Sequence, residues 1–271
     1  MSGIRQKFRL LFDQQQRELD QQQRELARLS SLARYTPGSF IRNGKELSFP
    51  DARSFAFIYK EIFNENIYRF NSEKVAPFII DCGANIGMSV IYFKELFPDA
   101  EVIAFEPERE IAKFLEKNIT AMDLEKVTLV KKAVWKEDGS LMFLNEGADA
   151  SRISSVGDMD ATKSSYEVEA VRLSRYIDRE VDLLKLDIEG AETEVLREIE
   201  GKLGHVRRLF IEYHSPENGA QELDDILRIL SRNHFRYYID CPFRMRRSPF
   251  VDRESFLSFD FFLNIFAERI S

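Results

Sequence analysis

Residues 78–90 place a carboxylate, an amide and two glycines in one short stretch, FIIDCGANIGMSV. The run from Phe78 to Ile80 is apolar without polar alternation, which predicts a strand buried on both faces. Apolar residues then recur at three- and four-residue spacing from Ile86 to Leu96, which predicts a helix. A strand, a glycine-bearing loop and a helix in this order form the first half of a βαβ unit, whose loop binds nucleotide cofactors.

The loop departs from the pattern that binds dinucleotides. A pyrophosphate site uses Gly-x-Gly-x-x-Gly, so that bare backbone reaches two phosphates at a helix N-terminus. Here Asp81 precedes Gly83, and Asn85 lies between Gly83 and Gly87. A carboxylate would repel pyrophosphate, but it suits a ligand with an ammonium and a sulfonium group. We therefore predict S-adenosylmethionine rather than NAD, with a plain glycine turn as the alternative.

Two further positions are candidate cofactor contacts. Glu106 lies 19 residues beyond Gly87, at the end of a predicted strand over 101–105. A carboxylate at this place accepts hydrogen bonds from ribose hydroxyls in several nucleoside cofactors, so it does not separate NAD from S-adenosylmethionine. Ala133 follows a third predicted strand, over 127–130, where a small residue would form a flat wall for adenine.

The second group of polar residues follows later strands. Asp187 and Glu189 come after a buried run, so we expect them at the carboxyl edge of the sheet, beside the methyl-bearing end of the cofactor. Lys185 lies inside that run and needs a partner, most simply a carboxylate. His214 ends a predicted strand over 208–216, and Glu212 shares its face.

These groups allow two chemistries. With an unperturbed pKa near 6.5, His214 would take a proton from an acceptor hydroxyl as the methyl group leaves sulfur. Asp187 and Glu189 are the other candidate catalytic residues. In the alternative, Asp187, Glu189, Glu212 and His214 hold Mg²⁺ or Mn²⁺, which would acidify the hydroxyl. Our prediction is the arrangement without a metal.

Two loops carry candidate acceptor contacts. Ser151 and Arg152 lie in a hydroxyl-rich segment, and we assign them to the substrate alongside Glu212, with an ordinary surface loop as the alternative. The segment 242–248 is basic and could meet an anionic acceptor, although a solvated loop is the default.

Composition narrows the class of protein. The chain has 271 residues, 44% of them hydrophobic, and a formal net charge of -7, so we expect one α/β domain and no nucleic-acid partner. The two cysteines, Cys82 and Cys241, cannot make a disulfide framework and indicate a reducing compartment, the cytoplasm. No stretch approaches the roughly 20 apolar residues of a membrane span, and the first 16 residues lack the apolar core of a signal peptide.

The predicted organisation has three parts. A seven-residue unit occurs twice over 13–26, but only one of its two core positions is apolar, so residues 1–34 are predicted to be a helical arm that either self-associates into a homo-oligomer or is solvated. Residues 35–77 are predicted to be a helical cap, with its helix over 54–70. Residues 78–271 are predicted to form the cofactor-binding domain.

The fold predicted for that domain is α/β. We expect a seven-stranded, mostly parallel sheet with helices on both faces. The rhythm breaks over 138–171, where we expect a small antiparallel insertion. Asp138-Gly139 signals a hairpin between 131–135 and 141–144, and the alternation over 166–171 is typical of an edge strand.

Four motifs together resemble the FkbM family of S-adenosylmethionine-dependent methyltransferases, over about residues 54–268. They are FIIDCGANIG at 78–87, AFEP at 104–107, KLDIEGAE at 185–192 and FIEYH at 210–214. The resemblance implies the Rossmann-like methyltransferase fold and O-methylation of a hydroxyl, commonly on a sugar, a polysaccharide or a glycosylated or polyketide natural product. It implies cofactor contacts from Asp81, Gly83, Asn85, Gly87 and Glu106, with Asp187 near the methionine end.

Two other functions compete with this interpretation. An NAD-dependent oxidoreductase of a nucleotide sugar would use the same sheet and the same carboxylate after its second strand. A non-catalytic scaffold would keep the cofactor pocket and assemble through the N-terminal arm.

Overall fold

The computed structural model describes residues 19–145, 151–153, 165–217, 219–242, 248, 250–251 and 259–270. Its strands are β1 (Gly38–Arg42), β2 (Lys45–Phe49), β3 (Phe78–Cys82), β4 (Glu101–Phe105), β5 (Val127–Val130), β6 (Ala133–Trp135), β7 (Gly139–Asn145), β8 (Ser151–Ile153), β9 (Ser165–Arg172), β10 (Leu183–Leu186), β11 (Arg208–Pro216), β12 (Phe235–Asp240) and β13 (Phe259–Arg269). Its α-helices are α1 (19–30), α2 (Ala52–Tyr59), α3 (Met88–Leu96), α4 (Arg109–Ala121), α5 (Glu192–Glu198) and α6 (Leu223–Arg232).

The main sheet confirms the predicted architecture. Within the described residues it has seven strands in the order β12-β13-β11-β10-β3-β4-β5. The strands from β11 to β5 are mutually parallel, and β13 is antiparallel to both β11 and β12. Because parallel strands share a direction, the loops after β3, β4, β10 and β11 all leave the same edge of the sheet.

Alternate residues of the central strands pack into two different cores. Ile79 belongs to a core formed with the N-terminal segment, α3 and α4, whereas Phe78 and Ile80 belong to a core formed with α5 and α6. Asp81 lies two residues beyond Ile79, on the same face of β3, and pairs in register with Lys185 of β10. Both charged side chains therefore lie on the face covered by the N-terminal segment.

The cap over 35–77 is not purely helical, and that part of the prediction is wrong. β1 and β2 form an antiparallel hairpin whose turn residues, Asn43 and Gly44, have φ of 51° and 75°. Positive φ at both central residues is the geometry of a type I′ turn, for which Asn-Gly is the preferred sequence. The helix predicted over 54–70 is also shorter: α2 runs into a π-helical turn, Lys60–Asn64, and Asn66 at φ 57° prevents its continuation.

The described end of the N-terminal arm packs on the protein itself. Leu26 and Leu29 are buried in the core of the cap face, whereas Leu19 is 47% exposed. Leu26 holds one of the apolar heptad positions, so that part of the predicted seam contacts the chain's own core. Residues 1–18, with most of the first heptad unit, lie outside the described part, and self-association stays a prediction.

The insertion forms a separate sheet with the order β6-β9-β7-β8. β7 pairs antiparallel with β8 and β9, as expected, but β6 pairs parallel with β9. The hairpin predicted at Asp138-Gly139 is wrong because β9 lies between the two strands that it would join. β9 is therefore not the edge strand that its alternation suggested. Across the described residues, no helix is both long and apolar enough to span a lipid bilayer.

One buried amide joins the cap to the loop after β3. Asn118 of α4 is fully buried. Its Oδ1 accepts a hydrogen bond from the Ser48 backbone N–H at 2.8 Å, and its Nδ2 donates to the carbonyls of Ser48 and Ile86 at 3.0 and 2.8 Å. The hairpin and the loop after β3 therefore share one hydrogen-bonding partner.

Replacing Asn118 by leucine should destabilise the protein by about 3 kcal/mol, because the change leaves three buried backbone groups without their partner. Urea unfolding monitored by circular dichroism measures the loss. Lys117→Ala, on the exposed side of the same helix, is the matched control and should stay within about 0.5 kcal/mol of the wild type. An Asn118→Leu variant as stable as Lys117→Ala would contradict this role.

Candidate functional site

Two glycines in the loop after β3 are required by close contacts. Gly83 has φ 84°, and a Cβ there would lie 1.8 Å from the carbonyl oxygen of Asp187. Gly87 has φ 90°, and a Cβ there would lie 2.4 Å from Cδ1 of Leu115. Both glycines let the loop pack against its neighbours at a backbone conformation that L side chains rarely adopt. The first contact joins the loops after β3 and β10.

Glu106 forms a structural unit with this loop. Its Oε2 accepts a hydrogen bond from the backbone N–H of Asn85, and its Oε1 accepts one from Glu108, both at 2.9 Å. Burial raises the pKa of Glu106 to about 7, against the opposing effect of these two backbone donors. Each oxygen keeps a further lone pair, so the carboxylate can still accept two hydrogen bonds.

Asp81 lies behind the loop and is fully buried. Ser89 Oγ donates a hydrogen bond of 2.5 Å to its Oδ2, and Lys185 Nζ lies 3.2 Å from its Oδ1. Lys185 also donates to the Gly83 carbonyl at 2.8 Å and lies 3.1 Å from Oδ2 of Asp187. The prediction that Lys185 pairs with a carboxylate is therefore confirmed, because both Asp81 and Asp187 lie beside its ammonium group. Asp81 acts on the loop through Lys185, and its direct contact with a cofactor stays a prediction.

His214 is held by a residue whose importance the sequence did not reveal. Its Nδ1 lies 3.0 Å from Oε1 of Glu192, which also accepts hydrogen bonds from the backbone N–H groups of Ile188 and Gly190 at 3.0 and 3.1 Å. The other ring nitrogen, Nε2, lies 3.6 Å from Oε2 of Glu189. Glu192, interpreted from the sequence as a helix-dipole residue, thus fixes both the loop after β10 and the imidazole.

The expectation that His214 has an unperturbed pKa is wrong. Burial opposes the charged imidazole, but the Glu192 and Glu189 carboxylates outweigh it and raise the pKa of His214 well above its ordinary value. The raised pKa favours the protonated ring, and the role of His214 as a general base stays a prediction.

Carboxylates crowd this edge of the sheet. Burial, with the charge of Asp187, raises the pKa of both Glu189 and Glu212 to about 8. Glu61, from the π-helical turn of the cap, has a pKa raised to about 7, again by burial first and by Asp187 second. The site therefore strongly disfavours further negative charge.

The structure brings together most of the second predicted group. Asp187, Glu212 and His214 each place a potential ligand atom within 4.8 Å of the others. Glu189 is close to His214 but is not part of that triad. Glu212 and His214 are expected to lie on one face of β11, because side chains alternate along a strand, and this cluster is consistent with that expectation.

Three predicted contacts lie elsewhere or are described only by backbone. Ala133 is buried in the small sheet's core with Phe143 and Ala170, and its role as an adenine wall stays a prediction. Ser151 and Arg152 lie on β8, where the backbone pairs with β7. Most of the basic segment, residues 243–247, lies outside the described part of the chain.

Two cap residues were missed by sequence reasoning. Glu61 is the carboxylate described above, and the only sequence signal was an acidic residue within an aromatic-rich helix. Tyr68 is buried against Phe93 and Phe210, and Lys185 Nζ lies 5.8 Å from its ring centroid. Both residues come from the N-terminal segment and contribute to the environment of the strand ends.

Comparisons with known proteins agree with this geometry. The family described as Methyltransferase FkbM domain matches residues 81–237. The chain is 30% identical over 208 residues to methyltransferase sdnD of Sordaria araneosa, covering 63% of this chain and 79% of that protein. It is 28% identical over 178 residues to 2-O-methyltransferase NoeI of Sinorhizobium fredii, covering 58% and 72%. It is 25% identical over 220 residues to 31-O-demethyl-FK506 methyltransferase FkbM of Streptomyces tacrolimicus, covering 69% and 85%.

A solved structure of methyltransferase FkbM from Methylobacillus flagellatus aligns with a TM-score of 0.48 at 19% identity, over 75% of this chain and 46% of that one. The family match covers more than half of the chain and includes the loop after β3, Glu106, and the residues at the ends of β10 and β11. The chain therefore belongs to the FkbM family of methyltransferases and has the Rossmann-like methyltransferase fold.

Proposed function

We propose that this methyltransferase transfers a methyl group from S-adenosylmethionine to a hydroxyl of a sugar or glycan, such as a cell-surface polysaccharide or a glycosylated natural product. The observation that carries the proposal is the unit formed by Glu106 and the loop after β3. It presents a buried carboxylate, already oriented by two backbone N–H groups, at the place where a nucleoside ribose lies on this type of sheet.

The charges of the site support this cofactor over NAD. Glu106 retains acceptor capacity for two ribose hydroxyls, and the raised pKa of Glu189 and Glu212 beside Asp187 indicates that the neighbouring strand ends disfavour further negative charge. A pyrophosphate would be repelled there, whereas a ligand with ammonium and sulfonium groups would be attracted. The residues present therefore fit S-adenosylmethionine, which supplies an electrophilic methyl group on a positively charged sulfur.

The acceptor side is also suited to hydroxyl groups. Carboxylates such as Glu61, Glu189 and Glu212 accept hydrogen bonds, so a ligand with several hydroxyls can satisfy them, whereas a phosphorylated or carboxylated acceptor would be repelled. Two relatives are named for O-methylation, one at a 2-O position and one at a 31-O position. We therefore propose that the acceptor is a neutral polyol, most simply a sugar.

The transfer requires in-line alignment and the loss of one proton. The acceptor oxygen bonds to the methyl carbon as the carbon–sulfur bond breaks, and the electron pair of that bond stays on sulfur. The hydroxyl proton leaves toward the groups at the ends of β10 and β11 or toward water. Asp187 and His214 hold the acceptor hydroxyl in position, and the rigid strand ends restrict its approach.

S-Adenosylmethionine should bind the purified full chain and NAD should not. At a hundred times its dissociation constant, a ligand stabilises the folded state by about 2.7 kcal/mol, which should raise the melting temperature by roughly 5 °C. Scanning fluorimetry with each ligand measures the shift. Stabilisation by NAD alone would instead favour the oxidoreductase of a nucleotide sugar.

The affinity for S-adenosylmethionine should fall as the pH drops below about 7. The ribose hydroxyls need the ionised Glu106, whose pKa is about 7 in the ligand-free protein. Below that pH the proton must be lost on binding, so the dissociation constant should rise toward about tenfold per pH unit. Isothermal titration calorimetry from pH 5.5 to 8.5 measures the dissociation constant at each pH.

Two matched variants test the contribution of the Glu106 carboxylate to this pH dependence. Glu106→Gln should bind more weakly at pH 8 and should lack the component of the pH dependence near 7. Glu110→Gln, in the first turn of the following helix, should reproduce the wild-type curve. If Glu106→Gln and the wild type have the same pH profile, Glu106 does not contact the ribose.

Replacing His214 by glutamine should lower kcat by at least about 100-fold, because the acceptor hydroxyl loses a positioning group, and should leave the affinity for S-adenosylmethionine within about twofold. The reason is that His214 lies with Asp187 and Glu212 on the acceptor side, whereas the ribose contact lies at Glu106. Mass spectrometry of a glycan acceptor panel detects the added methyl group. His205→Gln, three residues before the start of β11, is the control, and equal rates in the two variants would contradict the role of His214.

A further inference from the structure

We propose that Asp187, Glu212 and His214 bind one divalent cation at the carboxyl edge of the main sheet. The use of this cation rests on the proposed methyl transfer, but the site itself rests on geometry. The three potential ligand atoms lie within 4.8 Å of one another. Octahedral coordination with bonds of about 2.1 Å separates ligand atoms by about 3.0 to 4.3 Å, so small side-chain rotations would complete the site.

The hydrogen bonding of His214 selects the tautomer that a cation needs. Glu192 Oε1 already accepts hydrogen bonds from two backbone N–H groups, so it acts as an acceptor toward His214 as well. Nδ1 of His214 must therefore carry the hydrogen that is donated to Glu192 Oε1. In the neutral ring, Nε2 is therefore the nitrogen with the free lone pair. The ring is 97% buried, since its exposed fraction is 3%, and Nε2 lies beyond hydrogen-bond length, at 3.6 Å, from Glu189.

This arrangement is typical of metal-binding histidines. A histidine ligand commonly donates its other ring N–H to a carboxylate, which fixes the orientation of the ring and strengthens its donor nitrogen. Glu192 occupies that position here and is itself 1% exposed. The contact between Glu192 and His214 is therefore a second observation, independent of the carboxylate cluster, that indicates a cation.

The two carboxylates have capacity for a cation. Within the described part of the chain, no group donates a hydrogen bond to the Glu212 carboxylate. Lys185 pairs with Oδ2 of Asp187 and leaves Oδ1 for another partner, while its remaining contacts go to Asp81 and Gly83. Two carboxylates and a neutral imidazole match the charge of a divalent ion.

The mixture of oxygen and nitrogen donors indicates the class of cation. Carboxylates suit Mg²⁺, Ca²⁺ and Mn²⁺, and imidazole suits Zn²⁺ and other transition metals, so Mn²⁺ or Zn²⁺ satisfies both donor types better than Ca²⁺ does. A cation at this place would lower the pKa of an acceptor hydroxyl in contact with it. The hydroxyl proton would then be released to water, and His214 would hold the cation rather than receive the proton.

The experiment titrates Mn²⁺ into the full chain after removal of metals with EDTA, with free Mn²⁺ followed by electron paramagnetic resonance. We expect one Mn²⁺ per chain. Glu212→Gln and His214→Gln should each weaken binding by more than about tenfold, and Glu192→Gln by about tenfold through the loss of histidine orientation. His205→Gln should bind as the wild type does. Calorimetry with S-adenosylmethionine shows that the variants keep a folded cofactor site.

Two results would overturn the inference. One is the absence of Mn²⁺ binding to the stripped wild type. The other is equal Mn²⁺ affinity in the wild type and in Glu212→Gln, when that variant still binds S-adenosylmethionine. Glu212→Gln is the more decisive of the two ligand variants, because the Glu212 carboxylate has no hydrogen-bonding role among the described residues. Its replacement should therefore not unfold the site.

Activity measurements separate this inference from the proposed function. Full-rate methylation of a glycan in EDTA would overturn the role of the cation and leave the methyl transfer intact. A cation bound at the three residues without methylation of any hydroxyl acceptor would support the site and contradict the proposed reaction. Loss of methylation in EDTA that Mn²⁺ restores in the wild type but not in Glu212→Gln would support both.

Discussion

The site depends on the buried ammonium of Lys185. It lies between Asp81 and Asp187 and donates to the carbonyl of Gly83, so one charged group joins two strands and the loops that follow them. Burial alone would lower the pKa of Lys185, but the Asp187 and Asp81 carboxylates raise it well above its ordinary value. Replacing Lys185 by a neutral residue would leave the buried Asp81 carboxylate without its ionic partner, which is far more costly than losing a surface ion pair.

This interaction also divides the functional roles. Lys185 compensates the charges nearest to the cofactor loop, so the glycine backbone can approach the strand ends without repulsion from Asp81. Farther along the same edge, burial and the charge of Asp187 raise the pKa of both Glu189 and Glu212, although the nearby His214 acts in the opposite direction. Lys185 thus compensates the carboxylates beside the loop after β3, whereas the charge balance at the ends of β10 and β11 is incomplete, and the proposed hydroxyl acceptor or cation would complete it.

The sequence predicted the main sheet well because its strands carry their own signals. The bounds of β4, β5, β11 and β12 agree with the predicted ones, since buried parallel strands are short apolar runs between turn residues. Strand pairing was harder. Asp138-Gly139 has the composition of a hairpin turn, yet nothing local could show that β9 lies between the strands on either side, whereas the Asn43-Gly44 turn was overlooked. The charge state of His214 was equally inaccessible, because it depends on Glu192, 22 residues away in sequence.

The two halves of the site come from different parts of the chain. The family match begins at Asp81 and includes the loop after β3, Glu106, Asp187 and His214. Glu61 and Tyr68 approach the same strand ends from the N-terminal segment, before that match begins, and the hairpin and α2 that carry this segment share a core with the sheet. Asn118 joins the hairpin directly to the cofactor loop. The cap is therefore a structural part of the whole site, because Glu61 and Tyr68 lie beside the ends of β10 and β11 while Asn118 joins the hairpin to the loop after β3.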